Sequence, residues 1–445
     1  MYGDEQTPVG GERPQSIAVV GSGVAGLVAA YVATRAGARV TLYEGNIKAG
    51  GHADTTQVVD AGRTLDIDTG FIVHNRRTYP VLCRLFDELD VATQPSEMSM
   101  SIADGRTGLE WAGARGIGGL FPTLRTILRP RYWRMLAEIP RFHRSARALL
   151  ERSVDGVEDQ LTLAAFLEEG GFTRYFTRHF MEPLVAAVWS CDPQVAGQYP
   201  ARYLFAFLEH HGMLSVFGSP TWRTVTGGSR AYVERVVATL AEVRLGRVVT
   251  SIYEHDEGVE VVDSNLDQTR FDAVVIATHP LQALRLLAQP TQAQRDVLAA
   301  MPYSANRAVL HTDTRMMPRA HRAWASWNFR RLREGEGPVT VTYDLTRLQR
   351  LDTDVHYLVT LGAEELIDPE TVIAVRDYEH PLYTPTSVAA QARLPELNTR
   401  RLAFAGAYHG WGFHEDGARS GLAAAQHLGF TWERSAAPRA EARSR

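Results

Sequence analysis

The chain has 445 residues, 45% of them hydrophobic, which is enough for two or three domains with full-sized cores and points to a globular enzyme. Its formal net charge of -4 supplies no global positive field, so nucleic acid is not an expected partner. Two cysteines, Cys83 and Cys191, stand far apart without CxxC or Cys/His spacing, which argues against a disulfide framework or zinc knuckle and fits a reducing compartment.

Residues 1–13 (MYGDEQTPVGGER) and 435–445 (SAAPRAEARSR) are polar and are expected to be disordered tails. Asp4, Glu5 and Glu12 stand where a secretory signal would be positive, and the apolar run 17–32 is broken by Gly21, Ser22, Gly23 and Gly26. Neither a signal peptide nor a membrane span is therefore expected, and the location is read as cytoplasmic. The run SIAVVGSGVAGLVAAYVATRAGARVTLYE has the pattern strand, glycine turn, helix, strand. Gly21, Gly23 and Gly26 supply the tight turn, the close approach to a pyrophosphate and the helix–strand contact. Glu44 closes the second strand about 20 residues on, where a carboxylate accepts the hydroxyls of an adenosine ribose.

A second glycine pair, Gly50-Gly51, follows directly. Next, YPVLCRLFDEL (79–89) has helical periodicity with an early Pro80. From Arg125 to Arg147 seven arginines alternate with Tyr132, Trp133 and Phe142 against the single acid Glu138. Such a belt either rests in an anionic headgroup layer at the inner face of a membrane or forms a solvated helix face. The apolar segment from Phe180 to Gly218 suits a greasy tunnel or an ordinary core equally, and contains Glu209, His210 and His211 as acid-base candidates or turn residues. Beyond it, VTVTYDL and VHYLVTL read as strands.

The C-terminal run AYHGWGFHEDGARSG carries His409, Trp411 and His414, candidates for a catalytic wall facing substrate. The two histidines are not a helical i, i+4 metal pair, because Gly410 and Gly412 disfavour a helix between them, and no metal is expected. GARSGLAAAQHL reads as a helix with Glu415 and Asp416 at its N-cap.

Taken in order, the glycine turn with Glu44, the pair Gly50-Gly51, LDIDTGFIVHNRRTYP, TWRTVTGGSRAYVERV, RVVTSI, FDAVVIATHP and the C-terminal run resemble the flavin amine oxidase and phytoene desaturase superfamily across most of the chain. The resemblance implies FAD as cofactor. It places Gly50-Gly51 beside the diphosphate, Thr69 and Gly70 beside the flavin ring, and the backbone of Val248 against adenine. It also aims the N-terminus of the helix at Glu415 and Asp416 toward the flavin pyrimidine, where the dipole favours the negative charge of reduction. His52 stands where that family usually has arginine. GFIVHNRRTYP and GFHEDGARSG look most like a branch of predicted NAD/FAD-binding proteins whose genes often neighbour cyclopropane fatty acid synthase-like methyltransferases.

The implied architecture is a discontinuous two-domain α/β protein with a Rossmann-like FAD domain from 14–75, 220–280 and 396–434. A mixed helical and sheet substrate domain, with helices dominating its first insertion, is expected from 76–219 and 281–395. Many amine oxidases of the superfamily keep a lysine water-linked to the flavin, and some attach flavin to a late cysteine; here Lys48 is the only lysine and no cysteine follows Cys191. The lysine gap, the Arg/aromatic belt and the resemblance to desaturases and to that branch together give as the expected reaction hydride removal from, or isomerisation of, an unsaturated or methyl-branched acyl chain. A flavin amine oxidase with an atypical site, or a flavin-carrying partner of a lipid methyltransferase, stands as the alternative.

Overall fold

A computed structural model describes residues 13–152, 161–189, 196–215, 218, 220–333, 339–362 and 364–433. The expected tails, apart from Arg13, and Cys191 lie outside the described residues. The chain has an α/β architecture in which parallel and antiparallel sheets carry different tasks.

A parallel five-stranded sheet has the order Leu402–Phe404, Ala273–Ile276, Ser16–Val20, Arg39–Glu44, Glu242–Leu245. Its central strands SIAVV and AVVI are nearly continuous apolar runs because both faces are covered. On one face lies the helix Val24–Arg35, with all residues from Val24 to Ala33 buried. The helix His414–His427 crosses against it through small residues: a Cβ on Gly421 would lie 2.1 Å from the Ala25 carbonyl oxygen, and one on Gly417 2.6 Å from Val24 Cγ1. The other face carries the antiparallel strands Val249–His255, Gly258–Asp263 and Gln268–Phe271, with the helices Pro280–Leu286 and Gln292–Ala299.

A seven-stranded sheet runs in the order Val372–Pro381, Tyr303–His311, Leu358–Leu361, Thr340–Asp344, Trp327–Arg331, Met100–Asp104, Leu109–Gly113. The strands read from VTVTYDL and VHYLVTL occupy its centre. Helices including Pro130–Glu151 and Ala201–His210 share a core with it, in which Phe142 meets Phe176 and Phe205 edge-on or tilted at 5.7 and 5.3 Å.

Two features depart from the expected boundaries. The helix Pro80–Glu88 sends Leu82, Leu85 and Phe86 into the core of the helix Val24–Arg35, and Pro280–Leu286 and Gln292–Ala299 contribute Ala283, Val297 and Leu298 to the nucleotide-side core. Helices dominate the described part of 76–219 as expected, and residues 100–113 add two strands to the sheet. Apolar periodicity gives an element a buried face without stating which core receives it.

Candidate active site

The glycine turn is built by close backbone approach. Gly21 adopts φ 102° and donates its N–H to the Tyr43 carbonyl at 2.8 Å, while a Cβ on Gly26 would stand 1.9 Å from the Gly21 carbonyl oxygen. Gly23 differs: its φ of -62° suits any residue, and a Cβ there meets nothing within 4 Å because it would project into a cavity. The helix that follows has no side-chain cap, leaving its first N–H groups open to a phosphate.

Glu44 accepts hydrogen bonds from Ser22 N at 3.0 Å, Ser22 Oγ at 2.5 Å and Asn46 N at 2.8 Å. Ser22 Oγ in turn accepts from Gly50 N at 3.0 Å, so Ser22 ties the ribose acid to the second glycine pair. Gly51, at φ 57°, brings its would-be Cβ within 3.1 Å of Gly23 Cα. Gly70 packs on the His52 carbonyl, which a Cβ would approach to 2.2 Å. Thr69 Oγ1 shares a 2.8 Å hydrogen bond with Tyr378 Oη.

These segments line one continuous cavity of 1650 Å³. Glu44 and the half-exposed Val248 stand at one end, Gly23, Gly51, His52 and Gly70 along its length, and the seven-stranded sheet closes the other. The Val248 carbonyl already accepts from Ser264 N at 2.7 Å. The wall fits an adenine dinucleotide on two counts. Gly23 leaves space where any side chain would intrude, and His52 Nε2, His380 Nδ1 and Tyr408 Oη are buried there without a hydrogen-bond partner. Arg230, Arg376 and Lys48 add positive charge to the wall; the arginines sit in motifs that spacing alone did not single out. His52 stacks on Tyr378 at 4.7 Å, and burial holds its imidazole well below the usual histidine range, so it is neutral.

At the sheet end, Trp189, Phe207, Trp327, Tyr343, Leu361 and Phe413 form an apolar, largely aromatic chamber. His414 lines it, stacked on Phe71 at 3.8 Å and hydrogen-bonded through Nε2 to Tyr232 Oη at 2.8 Å, with burial lowering its pKa to about 3. Trp411 lines it too, its carbonyl held by Trp189 Nε1 at 3.1 Å. His409 is not among the lining residues: it is partly buried beside Tyr408, its Nε2 has no hydrogen-bond partner among the described residues, and burial pushes its pKa down to about 4. The expected wall residue thus sits in the short 3-10 turn Ala407–His409, off the lining that Trp411 and His414 join.

Glu415 and Asp416 stand at the helix start as read from the sequence, but neither carboxylate lines the cavity. Glu415 accepts from Val81 N at 2.9 Å and Leu82 N at 3.0 Å, capping the helix Pro80–Glu88, and Asp416 accepts from Phe413 N at 3.0 Å in its own helix start. Free N–H groups at two helix starts take both acids. Burial raises each to about 7.

The LEHHG segment divides. Glu209 pairs with Arg147 at 3.1 Å, and His210 lies against the Trp411 ring at 5.2 Å without reaching the cavity. His211 reaches it, and its tautomer follows from a chain of donors. Asn75 Oδ1 accepts from Arg77 N and Thr78 N, which fixes the amide so that Nδ2 donates to Thr78 Oγ1 at 2.8 Å. The Thr78 hydroxyl keeps its own hydrogen to give, and it shares a 3.3 Å hydrogen bond with His211 Nδ1; donated that way, it leaves Nε2 as the N–H donor. Burial keeps this ring neutral, with a pKa of about 3.

A parallel nucleotide sheet, a glycine turn with its ribose acid, and a second glycine pair opening onto an apolar chamber define an FAD-dependent oxidoreductase. Residues 24–429 match the family model described as flavin containing amine oxidoreductase, and the chain belongs to that family. It is 27% identical over 350 residues to the protein named flavin-containing monoamine oxidase AofH in Mycobacterium tuberculosis, covering 74% of this chain and 70% of that one. It is also 27% identical over 379 residues to phytoene dehydrogenase of Streptomyces griseus, covering 77% and 68%. Among solved structures, cyclohexylamine oxidase from Brevibacterium oxydans superposes with a TM-score of 0.69 at 17% identity over 93% of this chain and 98% of that one. A fatty acid isomerase from P. acnes superposes with a TM-score of 0.65 at 15% identity over 91% and 96%.

Proposed function

We propose that this FAD-dependent oxidoreductase desaturates or isomerises an unsaturated or methyl-branched fatty acyl chain. The observation that carries the reading is the chemistry of the chamber wall: Trp189, Phe207, Trp327, Tyr343, Leu361 and Phe413, with His211, Trp411 and His414, include no carboxylate and no lysine. The acids that line the rest of the cavity have partners: Glu44 with Ser22, Asp54 with Arg376, Asp377 with Arg307 at 3.9 Å, Glu379 with His279 at 2.8 Å and Glu234 with Arg230 at 3.2 Å. An apolar chain entering the chamber sheds its water favourably, whereas an ammonium group would be desolvated without a counter-charge. Bound FAD supplies a hydride acceptor. The protein's part is to exclude water with its aromatic wall and hold a C–H bond in reach. His211 offers its Nε2–H to an oxygen of the acyl head. The resemblance to a branch encoded beside lipid methyltransferases supports the same substrate class.

A second reading, an amine oxidase with an atypical site, is favoured by the 27% identity to the mycobacterial protein named for monoamines. The fold hosts amine oxidases and a fatty acid isomerase alike and does not choose between them. Anaerobic mixing of the yellow protein with unsaturated and methyl-branched phospholipids, and separately with monoamines and polyamines, separates the readings. Bleaching by lipid alone supports the acyl substrate; bleaching by amines alone overturns it. Isomerisation without net bleaching is read from the double-bond positions of recovered lipid. A protein that bleaches and isomerises nothing but co-purifies with a lipid methyltransferase is a flavin-carrying partner.

A further inference from the structure

The arginine belt does not behave as one unit. Three members are engaged: Arg129 donates to the Thr107 and Gly108 carbonyls, Arg141 lies over the Phe172 ring at 4.1 Å, and Arg147 holds Glu209 and the Leu214 carbonyl. The surface around Arg125, Arg131 and Arg134 is different. Three short elements, the helices Gly116–Leu120 and Leu124–Ile127 and the first turn of Pro130–Glu151, form a knob beyond the sheet-edge strand Leu109–Gly113. The knob is internally fastened, with Tyr132 Oη donating to the Leu120 carbonyl and Trp133 Nε1 to the Ile127 carbonyl, both at 2.8 Å. Yet it turns Ile117, Leu124 and Leu128 outward at 80%, 79% and 79% exposure, with Ile127 and Trp133 also exposed.

Five large apolar side chains exposed between residues 117 and 133 exceed what single surface hydrophobes explain. Around them Arg125, Arg131 and Arg134 are exposed and make no ion pair or hydrogen bond among the described residues. Residues 111–137 contain no Asp or Glu, and the flanking Glu110 and Glu138 are engaged, by Arg319 N and Ala320 N and by Thr173. Apolar tips ringed by unpaired guanidinium groups match the layering of an anionic bilayer, where acyl chains lie beneath phosphates.

We propose that this knob docks the protein on anionic lipid surfaces, with Leu124 and Leu128 entering the acyl boundary and Arg125, Arg131 and Arg134 meeting phosphates. The proposal stands apart from the substrate reading, because it concerns where the molecule sits and not what it oxidises. Co-sedimentation of the flavin-loaded protein with equimolar phosphatidylglycerol and phosphatidylcholine vesicles, against phosphatidylcholine alone, tests it. The expected result is sedimentation with the anionic vesicles only, weakened by salt. Replacing the three arginines by glutamine is expected to weaken partitioning on the order of a hundredfold. The double variant Leu124→Ser, Leu128→Ser is expected to release the protein while retaining its flavin, since both side chains are solvent-exposed. Failure of the wild type to sediment, or undiminished binding by the double variant, overturns the proposal. A concentration-dependent dimer abolished by that variant, without vesicle binding, overturns it in favour of a second copy as the occupant.

Discussion

At the scale of single residues, the glycines of the nucleotide turn separate folding from binding. Gly26→Ala forces a Cβ into the Gly21 carbonyl and is expected to destabilise the protein, by several kcal/mol if the turn cannot shift. Gly23→Ala meets no protein atom, so the apoprotein should melt within about 0.5 kcal/mol of wild type while FAD affinity falls, because the methyl group occupies the pyrophosphate cradle. Thermal melts with and without FAD distinguish the two. His211→Phe is expected to slow flavin reduction by about tenfold, the worth of one hydrogen bond to substrate, and Thr78→Val should share part of that loss by freeing the tautomer. Single-turnover reduction rates check both. The turn of Gly21, Gly23 and Gly26 with Glu44 after it was legible in the sequence because a dinucleotide turn dictates residue types at fixed spacing; of the pair Gly50-Gly51, only Gly51 lines the cavity. His211 was one of three candidates in LEHHG, and only it reaches the cavity; Ser22 and Arg230 were not singled out. Their roles depend on Thr78, Glu44 and a distant strand arriving beside them.

At the scale of elements, the start of the helix His414–His427 fastens distant segments of one core. It stacks His414 on Phe71, caps itself with Asp416 and caps the helix Pro80–Glu88 with Glu415. Glu415→Ala leaves two N–H groups without their acceptor and is expected to cost about 1 to 2 kcal/mol of stability, read by denaturant unfolding. The helix itself was plain from GARSGLAAAQHL, and its small residues now have a cause in the close crossing with Val24–Arg35. The destinations of Glu415 and Asp416 were not, because a carboxylate at a helix start serves a ligand or a neighbouring helix with the same sequence. His409 is a similar case: it falls in the turn Ala407–His409, off the cavity lining, and composition does not show where such a turn lies.

At the scale of the whole molecule, burial sets the acid response. His74, His211, His311, His380, His409 and His414 are pushed down to about 3 or 4, while Asp68, Glu415 and Asp416 are raised to about 6 or 7. A histidine buried neutral binds fewer protons folded than unfolded, so its contribution is full above the unfolded value of about 6.5 and is lost as pH falls toward 4. The three raised acids bind more protons folded and act in the opposite sense between about 4 and 7. Histidines outnumber them, so the melting temperature is expected to fall as pH is lowered from 7 to 4. A flat or rising profile would contradict that balance.

The placement of every functional side chain rests on one cavity that joins the glycine segments to the apolar chamber. The direct test is the flavin absorbance and FAD content of protein purified from riboflavin-replete cells. The account predicts yellow protein with one FAD per chain, released on denaturation since no cysteine follows Cys191 to attach it. Colourless protein that takes up no added FAD would contradict it.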